Sequence, residues 1–386
     1  SGGFNAYALD NEPGLWNGTH KLAHSEHVTC DELIEKSVAL AQVVKDMDGS
    51  AEVFGPSLYG YTAYQSLAGA PDWGGKQSAG NYRWFIDYYL DEMKKAEKSD
   101  GRRLLDVLDI HYYTEAKGEC GQRSCSHYDR DGCVKARLDS VRSLFEEGYL
   151  ENSWIADNGA EFFPLIPNIQ QSIDQYYPGT KLAFTEYNFG GGDHISGGVC
   201  QADVLGIFAE NGVYFSSLWS FDQNQYQLAA INMFTNYDGS GSGFGNTLVK
   251  SESSDRNTVS AYSATDESGN LHVILTNKSL HEETPISLTI SGDHGYSCAE
   301  VYELYGDSTD IRSADPAELD GRVLEYSLKP LSVTELVFKA SQPEHLPEEQ
   351  PDKKGFPVVP MAVGAGIAVA AAIAVALIKI KGQMQK

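Results

Sequence analysis

The chain has 386 residues, enough for more than one domain, and its aromatic content, with 22 Tyr, suits a folded core and sugar-stacking surfaces. A net charge of −25, from 54 Asp and Glu against 29 Lys and Arg, sets nucleic acid aside as a partner and fits an acidic exported protein. The same composition excludes disorder as the main state.

In chain order, the first element is a short apolar strand over 5–9 that ends by presenting a carboxylate, in the run Asp10-Asn11-Glu12-Pro13-Gly14-Leu15-Trp16. A helix starts at Cys30 with Thr29 as N-cap. Acids fill its first turn, and Leu33, Ile34, Ser37, Val38 and Ala41 share one face, as in an outer barrel helix. Further strands are expected over 51–59, 105–111, 181–186 and 212–219, and a structural helix over 82–98. The run 181–186 repeats the grammar of the first strand. It is apolar, bounded by Gly179 and the Gly190-Gly191-Gly192 turn, and carries Glu186 at its end. Between strands, Cys120, Cys125 and Cys133 crowd one loop with His127, Asp129 and Asp131, a set that fits a disulfide, zinc or free thiols. An exported location favours a disulfide involving two of the three.

Two strand-end glutamates suggest paired acid chemistry. A glycosidic bond is cleaved by one carboxyl that protonates the leaving oxygen and another that attacks the sugar or activates water, with no metal or organic cofactor required. In a parallel α/β barrel the C-terminal strand ends converge on one face, so residues far apart in sequence meet across a cleft. His111 and Tyr113 end the third strand and Trp219 ends the fifth, so they should reach the same face.

After about Leu248 the pattern changes to short alternating runs such as Leu271-His272-Val273-Ile274-Leu275 and Ser332-Val333-Thr334-Glu335-Leu336, separated by turn residues, which reads as an antiparallel β domain. The segment 341–355 has Pro343, Pro347 and Pro351 among acids and reads as an extended stalk. From 356 to 378 the chain is apolar and uncharged, and Lys379, Lys381 and Lys386 follow. This predicts one transmembrane helix with a basic cytoplasmic tail over 379–386, and so a single-pass protein at the cell surface with its catalytic domain outside. The expected division is a partial barrel over 1–248, a β-sandwich domain over 249–340, then stalk, span and tail. Asn17-Gly18-Thr19 and Asn277-Lys278-Ser279 are glycosylation sequons.

The words around the two glutamates resemble a family. Asn11-Glu12-Pro13 with Leu15-Trp16 and Thr19-His20, then Thr185-Glu186-Tyr187-Asn188 running into Gly190-Gly191-Gly192-Asp193-His194-Ile195-Ser196-Gly197-Gly198, look like the two catalytic segments of glycoside hydrolase family 44, which are endoglucanases and xyloglucanases. The likeness continues through Val53–Tyr61, Trp84–Leu90 and Leu105–His111 to about Lys339. It implies an α/β fold, a (β/α)8 TIM-type barrel with an attached β-sandwich, Glu12 as acid/base and Glu186 as nucleophile of a retaining mechanism, and Asn11 on the sugar 2-hydroxyl. By likeness to related retaining barrels, Trp219 would floor the subsite at the cleavage point and Tyr113 would touch the nucleophile. Trp16, Tyr59, Tyr61 and Trp73 are candidates for outer subsites.

About five β units are countable where a closed barrel takes eight, and neither an initiator Met nor a signal peptide precedes the first, so a chain lacking its first three units is expected. Activity is then expected of the parent protein. The expected substrate is a β-1,4-glucan backbone, cellulose-type glucan or xyloglucan. A retaining xylanase or mannanase, and a non-catalytic surface glycan-binding protein on a degenerate barrel, stay open as alternatives. Related enzymes carry structural metal ions, which leaves room for a structural calcium without assigning ligands. A monomer is expected.

Overall fold

The structure is a computed structural model that describes residues 4–119, 129–219, 223–292, 295–340 and 375–380. It forms two compact units, the first ending at Ile231 and the second beginning at Asn232.

The first unit is built on a five-stranded sheet whose spatial order follows the chain: β1 (Ala6–Ala8), β2 (Glu52–Leu58), β3 (Val107–Tyr113), β4 (Lys181–Asn188) and β5 (Phe215–Leu218). Every neighbouring pair is parallel, with Tyr7 opposite Val53, Phe54 opposite Val107, Leu108 opposite Leu182 and Ala183 opposite Phe215. Helices fill the crossovers, the pattern expected of part of a (β/α)8 barrel. The five strands lie where the sequence pattern puts them. Val53, Val107, Leu108, Ile110, Leu182 and Phe184 are all buried, because a parallel sheet is covered on both faces and needs near-continuous apolar runs.

Helix Cys30–Met47 starts as expected, with Thr29 Oγ1 accepting the Glu32 N–H at 3.1 Å and Leu33, Ser37 and Ala41 buried one turn apart. Near its end Lys45 is also buried. Its ammonium donates to the Ala51 carbonyl at 2.6 Å and to Asp106 Oδ2 at 2.8 Å, and that same oxygen accepts the Val53 N–H at 2.8 Å. One ion pair therefore ties the helix to the N-terminal ends of β2 and β3.

Two β-bulges interrupt the ladder near the opposite, C-terminal ends. Pairing of β2 with β3 jumps from Pro56–Asp109 to Leu58–Ile110 and leaves Ser57 extra. Pairing of β3 with β4 jumps from Ile110–Phe184 to His111–Glu186 and leaves Thr185 extra. A bulge of this kind bends its strand and re-aims the side chains beyond it.

The second unit is mostly antiparallel. Its strands are β6 (Thr247–Ser253), β7 (Val259–Thr265), β8 (Leu271–Asn277), β9 (Thr284–Ser291), β10 (Cys298–Tyr305), β11 (Arg312–Glu318), β12 (Val323–Leu328), β13 (Ser332–Phe338) and β14 (Val375–Ile380). They follow one another as β11-β10-β13-β8-β7-β6-β14-β9-β12. Inward residues from both ends of this series, Val273, Leu275, Val301 and Leu336 with Ile286, Leu288 and Leu324, share one core. The sequon at Asn277 is closed to modification. Its side chain is buried, donates to the Lys329 carbonyl at 2.7 Å and accepts from the Thr284 hydroxyl at 3.0 Å.

The membrane expectation is corrected here. Among the described residues no helix is long and apolar enough to cross a membrane. Residues 341–374 and 381–386, which hold the expected stalk, most of the span and most of the basic tail, lie outside the described residues. The end of the expected span is instead β14, inserted between β6, to which it runs parallel, and β9, to which it is antiparallel, with Ile378 buried in the core. A run such as Val375-Ala376-Leu377-Ile378 suits a buried strand as well as a span, and apolarity alone cannot tell the two apart. The single-pass topology, the membrane partner and the cell-surface location that rested on the span fall with it.

On the outer face of β8 and β13, His272 and Glu335 form a buried pair, with His272 Nδ1 3.0 Å from Glu335 Oε1 and the Tyr237 ring 5.8 Å from the imidazole. Burial raises the Glu335 carboxyl from an ordinary 4.5 to about 7, with the hydrogen bond and charge of His272 offsetting part of the cost. An acid raised in this way is favoured protonated by the fold. The stability it lends is complete below about pH 4.5 and is lost as the pH climbs through about 7. Thermal melts of the full chain across that window, beside Glu335→Gln, should show a melting temperature that falls with pH in the wild type and a shallower fall in the variant. Parallel slopes would contradict this account.

Candidate active site

Glu12 stands where the chain leaves β1. The Leu9 N–H still donates to the Phe54 carbonyl at 2.9 Å, after which Asp10 takes a φ of 109° and Glu12 a φ of 45°. A left-handed backbone costs a residue with a Cβ about 1–2 kcal/mol, and such strain concentrates at functional positions. Here it is held from both sides. The Glu12 N–H donates to the Ser57 carbonyl at 3.0 Å, and the Glu12 carbonyl accepts from the Leu15 N–H at 2.9 Å, where Pro13 opens a tight turn.

Glu186 reaches the same place from β4, and His111 joins the two. His111 is buried, with Nδ1 2.9 Å from Glu12 Oε1 and 3.4 Å from Glu186 Oε2. One oxygen of each carboxylate and one ring nitrogen all lie within 4.8 Å of one another. The Tyr113 hydroxyl donates to Glu186 Oε2 at 2.9 Å, and burial followed by that bond pushes its pKa well above the ordinary value, so the phenol stays a donor. Among the described residues Glu12, His111 and Glu186 are also spaced to hold a metal ion, although a cation there would take up the carboxylate lone pairs that acid or nucleophilic work needs.

The loop after Glu186 is anchored by Asn188. Its Oδ1 accepts from the Gly190 N–H at 2.6 Å and its Nδ2 donates to the Trp219 carbonyl at 2.8 Å, which ties the end of β4 to the residue after β5. Glycine is required for close approach both in this loop, where a Cβ on Gly192 would lie 2.5 Å from the Gln223 carbonyl oxygen, and just inside the helix that follows. A Cβ on Gly197 would lie 1.9 Å from the Gly191 carbonyl oxygen.

Both carboxylates open into a cleft of about 820 Å3. Tyr59, Tyr61, Tyr113 and Trp219 line it, and Trp219 is half exposed. Asn11 and Trp16 are not in the lining. Asn11 is exposed and its N–H bonds Asp10, while Trp16 is buried with its indole donating to the Asn11 carbonyl at 3.1 Å. Trp73 packs against Phe85 and Tyr88 and borders a smaller recess.

The far wall was not foreseen. Trp154 and Phe162 stand edge-on to Tyr61, at 5.6 and 4.6 Å between ring centroids. The Trp154 indole donates to Glu115 Oε2 at 3.0 Å, leaving the ring 41% exposed to the cleft. The available signal was an aromatic directly after the capping residue Ser153, in a crossover between barrel strands. Of the cysteine loop, Cys120 and Cys125 lie outside the described residues, and Cys133 is buried and disulfide-bonded.

Residues 1–116 match glycoside hydrolase family 44. The chain is 45% identical over 352 residues to Endoglucanase A of Paenibacillus lautus, an alignment covering 89% of this chain and 49% of that protein, so it spans about half of that relative's length. The family 44 endoglucanase structure from Clostridium thermocellum superposes with a TM-score of 0.83 at 45% identity, over 87% of this chain and 67% of that one. The family 44 xyloglucanase structure from Paenibacillus polymyxa does so with a TM-score of 0.83 at 42% identity, over 87% and 66%.

Proposed function

The chain belongs to glycoside hydrolase family 44, and on that premise we propose that it is the catalytic part of a retaining endo-acting hydrolase of β-1,4-glucan backbones, cellulose-type glucan or xyloglucan. The observation that carries the reading is the approach of Glu12 and Glu186, with one oxygen of each within 4.8 Å and His111 between them. Retaining glycosidases hold their two carboxyls ~5–5.5 Å apart, whereas inverting ones leave a wider gap for water. Tyr113 donates to Glu186 Oε2 and holds that carboxyl in place, which suits Glu186 to the nucleophile's part and leaves the acid's part to Glu12.

In the first step a Glu186 oxygen attacks the anomeric carbon while Glu12 gives its proton to the glycosidic oxygen, and the leaving chain departs as an alcohol. In the second, Glu12, now a carboxylate, takes a proton from water as the water oxygen attacks the same carbon and releases Glu186. The two inversions give net retention. His111 serves both steps by holding Glu12 in place, since its ring nitrogen can donate to the carboxylate or accept from the acid. Aromatic faces on Trp219 and along the Tyr61–Trp154 wall supply flat apolar area for pyranose rings, and Glu115 adds an acceptor for hydroxyls.

Hydrolysis of carboxymethyl-cellulose and xyloglucan tests the reading. Glu186→Gln should reduce turnover of either polymer to background while leaving polymer binding and the melting temperature near wild type, and proton NMR of the wild-type reaction should show the β-anomer first. Binding without hydrolysis by a well-folded wild type would instead favour a glycan-binding protein. Trp154→Ala should raise KM on the polymer roughly 2- to 12-fold at nearly constant kcat, the worth of one aromatic contact of about 0.5–1.5 kcal/mol. Unchanged KM would remove the far wall from the substrate path.

A further inference from the structure

Two residues before His111 on β3, and by strand alternation on the same face, stands Asp109, a carboxylate with no exposed surface. Its Oδ2 accepts from the Ser57 hydroxyl at 2.6 Å and its Oδ1 accepts from the Thr185 hydroxyl. Those two hydroxyls belong to the extra residues of the two bulges, one on β2 and one on β4. Ser57 sits at a φ of 55°, and its carbonyl receives the Glu12 N–H; Thr185 is bonded directly to Glu186. One buried group on the central strand thus grips both flanking strands where each departs from regular pairing, at the Ser57 that holds the Glu12 backbone and at the Thr185 that precedes Glu186.

We propose that Asp109 is a positioning residue that sets the spacing and aim of Glu12 and Glu186 by clamping the Ser57 and Thr185 bulges. This rests on the hydrolase reading for its kinetic consequence and on the geometry alone for its structural one. A buried carboxylate is a costly means of joining two strands, since an apolar residue at such a position avoids the loss of hydration. Burial does push the Asp109 carboxyl upward, against the two hydroxyl donors and the charge of His111. What the carboxylate provides and an apolar group cannot is acceptance from two directions at once. Either hydroxyl released would let its bulge relax toward regular pairing, and a slip of one residue turns the side chains beyond it to the other face.

The test uses the full chain with Asp109→Asn, Thr185→Ser and Thr185→Val. An amide can accept from one hydroxyl, but it turns a donor toward the other. With carboxymethyl-cellulose as substrate, Asp109→Asn and Thr185→Val should each lower kcat about 100-fold, the scale of an ångström-sized misplacement, with KM within about twofold of wild type. Thr185→Ser, which keeps the hydroxyl, should stay within about threefold in kcat. A 2-deoxy-2-fluoro-cellobioside that labels Glu186, read by mass spectrometry, should reach full labelling of both slow variants at a reduced rate. That result separates misaligned sites from a smaller folded fraction. Turnover of Asp109→Asn within about twofold of wild type, or loss of kcat matched by an equal loss of labelled fraction, would overturn the inference. Should Asp109→Asn not fold, the Thr185 pair decides in the same terms. If the wild type neither hydrolyses nor labels, the hydrolase reading fails by itself, and crystal structures of the same variants decide this one. Glu12 still against His111 and Glu186 still against Tyr113 would overturn it, and displacement of either glutamate would support it.

Discussion

Parallel pairing of β3 with β2 on one side and β4 on the other is the constraint from which the site follows. A parallel ladder fixes not only which strands are neighbours but which ends they share, so the segment after β1, the end of β3, the end of β4 and the residue after β5 all arrive at one edge. Regular pairing would still leave the side chains pointing where alternation dictates. The bulges at Ser57 and Thr185 correct that, and they do so on both neighbours of the strand that carries His111.

Polar chemistry in the barrel interior is organised in tiers along β3. Asp109 lies deepest and accepts from the Ser57 and Thr185 hydroxyls, His111 comes next and meets both glutamates, and Tyr113 stands at the mouth and donates to one of them. Exposure increases in the same order, from fully buried to part of the cleft wall. The deep groups are therefore insulated from solvent competition while the outermost faces the open cleft, a division that one alternating strand supplies without further elements.

Much of this was legible in the sequence because periodicity and strand-end placement are local signals. The five parallel strands, the helix capped by Thr29 and the convergence of Glu12, Glu186, His111, Tyr113 and Trp219 could all be read from short windows. What failed turned on contacts that local periodicity does not show. Trp16 looks like a cleft aromatic until its indole is seen bonded to Asn11, and Trp154 looks like an ordinary crossover residue until Tyr61 and Glu115 arrive from other loops. The run ending in Val375–Ile380 misled for a different reason. Hydropathy measures how much a segment avoids water, and both a lipid bilayer and the gap between β6 and β9 satisfy that demand.

At the foot of the sheet, the buried Lys45 holds Asp106, the Ala51 carbonyl and, through Asp106, the backbone of β2. That lock lies at the strand ends away from the glutamates, so the groups that keep the helix in register with the sheet share no atoms with the groups that line the cleft. Evolution can then lengthen, shorten or re-tint the crossovers at the upper rim, altering the shape of the cleft, without reopening the question of how the sheet assembles. Innovation and foldability are drawn from opposite ends of the same strands, and each can drift at its own pace.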